Sequence, residues 1–332
     1  MLPLIVIFGA TASGKTALSL ELARRFGGEI LSCDSVAVYR RMELGTAKPS
    51  TAERALVPHH LLDLYDPDEV CTAGDYARRG RAALAELVKR KTLPIVAGGT
   101  GLYLRALLDG LFAAAPRNEA LRELLRARAT KRGAAHLHRT LARMDARAAK
   151  LIHPNDVSKV VRALEVSLAA RRPMTEQWEQ GRDALSGYSV LRLGLAPARD
   201  VLYRRIDERA AAMFRKGLVE ETRELIADFG AECRPLTSLG YAQAAVVLNG
   251  TMTEAEAIAA AQQGHRNFAK RQTTWFRREA ELHRVQWLRG VGDSEESVAE
   301  ATALVKAHIE SCATELTAAG LIAAGLRDHP PA

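Results

Sequence analysis

Leu4–Phe8 is an unbroken apolar, β-branched run, the pattern of a parallel strand covered on both faces. Residues 15–26 then carry Leu18, Leu22 and Phe26 at helical spacing and stop at Gly27-Gly28, which predicts a helix with a glycine stop. Glu29–Cys33 reads as a second strand and delivers Asp34-Ser35 at its carboxyl end. His60–Tyr65 reads as a third. Thr72 with Asp75 predicts a capping box opening a helix to about residue 90, followed by a strand over Leu93–Ala97 that ends in Gly98-Gly99-Thr100-Gly101. Strands alternating with helices imply a parallel α/β sheet, and the polar clusters fall where such sheets bind ligands, beyond the strand carboxyl ends.

Residues 117–187 change character: they are Arg- and Ala-rich, with helical repeats of Leu121, Leu124 and Leu125, of Leu137 and Leu141, and of Val160, Val161 and Leu164. Tyr188–Leu195 returns to strand character, and Thr253 with Glu256 caps a long helix reaching Trp275 or beyond. The chain therefore divides into a first core segment (1–116), an all-helical insertion (117–187), a mostly helical second core segment (188–290) and an Ala-rich helical tail (291–332).

The 332 residues are 48% hydrophobic, enough for a sizeable core, and carry a formal charge of +8. That sign favours polyanionic partners without choosing among nucleic acid, membrane and phosphorylated substrates. The apolar amino terminus is too short to span a membrane, and Cys33, Cys71, Cys233 and Cys312 are widely spaced. The expectation is a soluble, cytoplasmic, monomeric protein with free thiols and no membrane partner.

Gly9-Ala10-Thr11-Ala12-Ser13-Gly14-Lys15-Thr16 matches GxxxxGK[ST] between a strand and a helix. Such a loop turns backbone N–H groups and a helix N-terminus toward phosphate oxygens; Lys15 adds a cation, and the Thr16 hydroxyl can hold Mg²⁺. Asp34-Ser35 reads either as a carboxylate placed to accept a proton or as an Asx-type turn. Gly98–Tyr103 reads either as a tight turn or as a binding loop. His59, His60 and Asp63 are metal-ligand types, but adjacent strand residues face opposite ways, so structural histidines are expected. On the long helix, Ile258, Ala261, His265, Phe268, Gln272 and Trp275 form the predicted inward stripe. Arg266, Lys270, Arg277 and Arg278 lie mostly elsewhere, where they could grip RNA or simply be solvated.

Taken in order, the phosphate loop, Asp34-Ser35 through Tyr39, Gly45–Pro49, Pro58–Leu61, Gly98–Tyr103, Asn155-Asp156 with Arg162–Val166, Arg209 with Met213, Leu239–Tyr241 and Lys270–Arg277 resemble the tRNA dimethylallyltransferase (tRNA isopentenyltransferase) family over roughly residues 4–288. The resemblance implies a P-loop NTPase-like fold whose loop, Gly9 to Thr16, holds the diphosphate of dimethylallyl diphosphate with Mg²⁺. It implies Asp34 as general base on the exocyclic amine of the adenosine 3′ of the anticodon in tRNA. Thr100 and Arg209 would stabilise the leaving diphosphate, and the target base would be flipped out to react. It also implies tRNA contacts at Asp34, Ser35, Val36, Ala37, Thr100, Asp156, Lys159, Arg162, Lys270, Arg271 and Arg277, with the insertion closing on the anticodon arm.

Three positions depart from the family pattern: Ala37 where Gln is usual, Ala10 for Pro, and Lys159 for Arg. An amide can read an adenine edge and a methyl cannot, a difference of ~1–3 kcal/mol in base discrimination. Two rival expectations are a diverged, non-catalytic or retargeted RNA-binding paralogue, suggested by Ala37, and a P-loop kinase of a small molecule.

Overall fold

The structure is a computed structural model describing residues 1–112, 117–179 and 181–318. It contains two compact units, Met1–Leu108 with Leu185 onward, and Asp109–Ala184. The junction expected at residue 116 and the last part of the expected tail, 319–332, lie outside the described residues.

The first unit is built on six parallel strands: β1 (Leu2–Gly9), β2 (Gly28–Cys33), β3 (His59–His60), β4 (Leu93–Gly98), β5 (Tyr188–Leu195) and β6 (Gln286–Leu288). Their order is β3-β2-β4-β1-β5-β6, so the strand that enters the phosphate loop is central. β1 alternates between two cores. Leu4, Val6 and Phe8 join Val96, Tyr76, Leu107 and Tyr241 on one face, while Ile5 and Ile7 join Leu18, Leu22, Ile95 and Val305 on the other. Burial on both faces is why β1 reads as an apolar run rather than an alternating one.

Helix boundaries follow local chemistry. The Lys15–Phe26 helix starts after Gly14 (φ 92°) and stops at Gly27 (φ 59°), whose N–H donates to the Ala23 carbonyl. The Ala73–Lys89 and Glu254–Leu282 helices open on the capping boxes Thr72–Asp75 and Thr253–Glu256.

Two strands differ from expectation. β3 has only two residues, because Leu61 (φ 65°) and Asp63 (φ 53°) turn the backbone into the left-handed region just where the strand was to continue. The Asp63 carboxylate accepts from Lys48 Nζ at 2.6 Å and Arg54 at 2.8 Å, which holds that turn. β6 falls within the segment expected to be mostly helical, and three residues are too few to show a strand period. The fold marks it instead by Trp287, whose ring meets Phe8 edge-on at 5.8 Å. The Glu295–Ala318 helix follows, as the Ala-rich tail predicts.

The second unit is all helical, comprising Glu119–Arg132, Ala134–Met144, Ala146–Leu151, Val157–Ala170 and Met174–Trp178. Leu125, Leu137, Leu141, Val160, Val161 and Leu164 form its core, whereas Leu124 is exposed. Buried Asp145 caps the Ala146–Leu151 helix and accepts both the N–H and the hydroxyl of Thr175. No helix among the described residues is long and apolar enough to cross a membrane. All four cysteines are buried free thiols.

Candidate active site

One cavity lies at the carboxyl ends of the central strands, bordered by Thr11, Lys15 and Thr16 of the phosphate loop, by Asp34 and Ala37 after β2, by Gly98 and Gly99 after β4, and by Arg209, Phe268 and Gln272 from later helices. Gly14 is required there twice over: its φ is left-handed, and a Cβ would collide with the backbone of Gly292. The tail thus braces the loop from behind. Gly292 N–H donates to the Ser13 carbonyl at 2.9 Å, and Arg205 joins the Ala12 carbonyl to the Asp293 carboxylate.

Three cationic or polar groups converge inside the loop. Lys15 Nζ donates to the Gly9 and Ala10 carbonyls at 3.1 and 2.7 Å. Burial, helped by the nearby Arg209 charge and opposed by Asp34, pulls its pKa down to about 7. Arg209 donates to the Thr11 hydroxyl, and burial also lowers its pKa from the ordinary arginine value. Lys15 and Arg209 beside the N–H groups of the loop make a setting suited to an anion.

Across the cavity, Asp34 forms the turn that the sequence offered and also borders the cavity. Its Oδ1 accepts from the Val36 and Ala37 N–H groups at 2.8 and 3.2 Å, an Asx turn that aims the carboxylate at the cavity wall. Ser35, Val36 and Thr100 do not border the cavity. Instead the Thr100 hydroxyl accepts the Ser35 N–H at 3.0 Å, tying the Asp34 turn to the loop after β4.

The two histidines diverge as strand geometry requires. His60 bonds Glu29 at 2.6 Å, and Glu29 is gripped by Arg90 through both carboxylate oxygens, so His60 is structural. His59 borders the cavity. Its Nδ1 lies 2.8 Å from the Val57 carbonyl, which can only accept, while Nε2 is buried with no partner and burial lowers the ring pKa. A neutral imidazole therefore turns an acceptor nitrogen inward. Its adjacency to His60 was the available signal; which one faced the cavity was not. Lys48, whose side chain is fully buried, also borders the cavity and is held by Tyr39, Glu43 and Asp63.

The long helix presents a stripe rotated slightly from the predicted one. Ala257, Ala261, His265, Ala269, Gln272, Phe276 and Glu279 are buried, and Phe268 and Trp275 flank the stripe. The rotation brings Phe268 to the cavity wall, with Arg271 over its ring at 5.6 Å. Lys270, Arg271 and Arg277 are exposed on this helix. In the helical unit, Asp156 caps the Val157–Ala170 helix and pairs with Lys159, and Arg162 bonds buried Glu165 at 2.7 Å.

A phosphate loop, two half-buried basic side chains and a carboxylate on one parallel sheet define a P-loop α/β protein built for chemistry on a phosphorylated substrate. The IPP transferase family profile matches residues 37–279. A tRNA dimethylallyltransferase of Koribacter versatilis is 60% identical over 91% of this chain and 98% of its own, and one of Solibacter usitatus is 52% identical over 89% and 95%. The full-length tRNA isopentenylpyrophosphate transferase of Bacillus halodurans superposes with a TM-score of 0.69 at 34% identity, covering 95% of this chain and 99% of that one. This chain belongs to the IPP transferase family.

Proposed function

We propose that this protein transfers a dimethylallyl group from dimethylallyl diphosphate to the exocyclic amine of the adenosine 3′ of the anticodon in tRNA, releasing diphosphate. The observation that carries the mechanism is that Asp34 borders the same cavity as Lys15 and Arg209. An adenine amine is a weak nucleophile, so catalysis needs a stabilised leaving group and a base for the amine proton. The loop N–H groups, Lys15 and Arg209 meet the charge that grows on the diphosphate as the carbon–oxygen bond breaks. The Asp34 carboxylate takes the proton as the carbon–nitrogen bond forms.

The Thr16 hydroxyl at the cavity edge is a hard oxygen donor that would hold Mg²⁺. When bound, the ion supplies further neutralisation of the diphosphate charge. The exposed cations Lys270, Arg271 and Arg277 contact the tRNA backbone. The protein works as a cytoplasmic monomer.

The test is incubation of unmodified tRNA bearing adenosine beside the anticodon with labelled dimethylallyl diphosphate and Mg²⁺, then nuclease digestion and mass spectrometry. One dimethylallyl group on that adenosine supports the proposal; tRNA recovered unmodified contradicts it.

A further inference from the structure

Gln272 is 7% exposed, and both ends of its amide are engaged across the two glycine loops. Its Oε1 accepts the Thr11 N–H at 2.8 Å, and its Nε2 donates to the Gly99 carbonyl at 2.9 Å. The amide cannot be flipped, because the Thr11 N–H needs an acceptor and the Gly99 carbonyl needs a donor. The fit is tight enough that a Cβ on Gly99 would collide with Nε2, which accounts for glycine there.

These bonds complete a chain between the two halves of the site. From the donor half, Arg209 bonds the Thr11 hydroxyl and the Thr11 N–H reaches Gln272. Gln272 then reaches Gly99, whose own N–H and that of Thr100 both donate to the Cys33 carbonyl at 3.2 Å. Thr100 holds the Ser35 N–H, and Asp34 lies in that turn.

We infer that Gln272 is a positioning residue that sets the separation between the diphosphate cradle and the Asp34 base. This rests on the assignment of the phosphate loop to the donor and Asp34 to the acceptor. Displacement on carbon needs nucleophile, carbon and leaving oxygen aligned, and a misplacement of about 1 Å can cost ~10²-fold in rate. Gln272 touches neither reacting atom, so its loss changes alignment more than affinity.

The experiment compares the wild type with Gln272→Met, an apolar side chain of similar length, and Gln272→Glu, which keeps the Thr11 bond and loses the donor to Gly99. Single-turnover rates are measured at saturating dimethylallyl diphosphate and tRNA, with separate dissociation constants for each and a thermal melt. The expected result is a fall in rate of roughly 10–100-fold in both variants at saturation, with cooperative unfolding retained, the tRNA dissociation constant within about threefold of wild type in both, and the dimethylallyl diphosphate constant within about threefold in Gln272→Met. An unchanged rate overturns the inference, as does a rate restored fully by raising the diphosphate concentration, which would make Gln272 a binding residue only. If Gln272→Met does not fold, Gln272→Glu decides alone. A wild type with no turnover would sink the assignment of function, not this inference.

Discussion

The Lys15 ammonium sits 2.7 Å from the carbonyl of Ala10, a residue of its own phosphate loop. The loop's cation donates to the backbone of its own loop, and burial there pulls its pKa down to about 7.

A diphosphate would exchange those carbonyls for full negative charges and raise that pKa again. At pH 8 the free protein holds Lys15 largely neutral and the complex holds it charged, so binding takes up a proton. Affinity for diphosphate therefore falls as pH rises above about 7. Calorimetry in two buffers of different ionisation enthalpy measures the uptake. Lys15→Ala should abolish it and weaken binding by about 10–100-fold, the loss of a charge-assisted hydrogen bond.

Asp34→Asn separates the two roles of Asp34. The amide oxygen can still accept from the Val36 and Ala37 N–H groups, so the turn survives, but the base is gone. Turnover should fall ~10²–10⁴-fold, with substrate dissociation constants changed by no more than a few-fold. Asp34→Ala should add loosened binding, because it also removes the turn. Equal binding losses in both variants would mean that the carboxylate charge, not the turn, carries the binding contribution of Asp34.

Lys48→Met removes a fully buried ammonium from Tyr39, Glu43 and Asp63. The expected loss of stability is about 1–2 kcal/mol in urea unfolding, because the Tyr39 carbonyl and the partly exposed carboxylates of Glu43 and Asp63 lose a charged donor. A change below about 0.5 kcal/mol would show that the 43–63 segment is held by other contacts.

Arg277→Ala should weaken tRNA binding and lower the slope of log K against log salt by about one unit if Arg277 meets a phosphate. The same slope in variant and wild type would return Arg277 to a solvated helix face.

Most of the frame was legible because it is written in local chemistry. β1, β2, β4 and β5, the glycine-bounded Lys15–Phe26 helix and both capping boxes follow from short-range pattern. The four thiols are free, as their spacing implied. What escaped depends on distant residues. β3 is cut short by a backbone turn that Lys48 and Arg54 stabilise from outside it, and β6 is defined by its partner strand. The cavity roles of His59, Phe268 and Gln272 were hidden for the same reason. The Gln272 bonds cross 261 and 173 residues of sequence, and a helical stripe identifies which way a side chain points, not what it meets. Thr100 was expected to serve the leaving diphosphate and the reacting centre; what the fold adds is that its hydroxyl accepts the Ser35 N–H beside Asp34.

Ala37 is 4% exposed and borders the cavity where the family usually carries Gln. Ala37→Gln should sharpen preference for adenosine over other purines at the target position by about 5–150-fold, the equivalent of ~1–3 kcal/mol. Competition between anticodon stem-loops differing only in that base measures it, and an unaltered ratio would mean that other groups read the base.

The most direct test of the central claim is a single-turnover assay of dimethylallyl transfer to unmodified tRNA by the wild type and by Asp34→Asn, at saturating concentrations of both substrates. The account predicts label on the adenosine 3′ of the anticodon from the wild type, and a rate lower by at least about 10²-fold from the variant with tRNA still bound. Equal rates from the two proteins would contradict it.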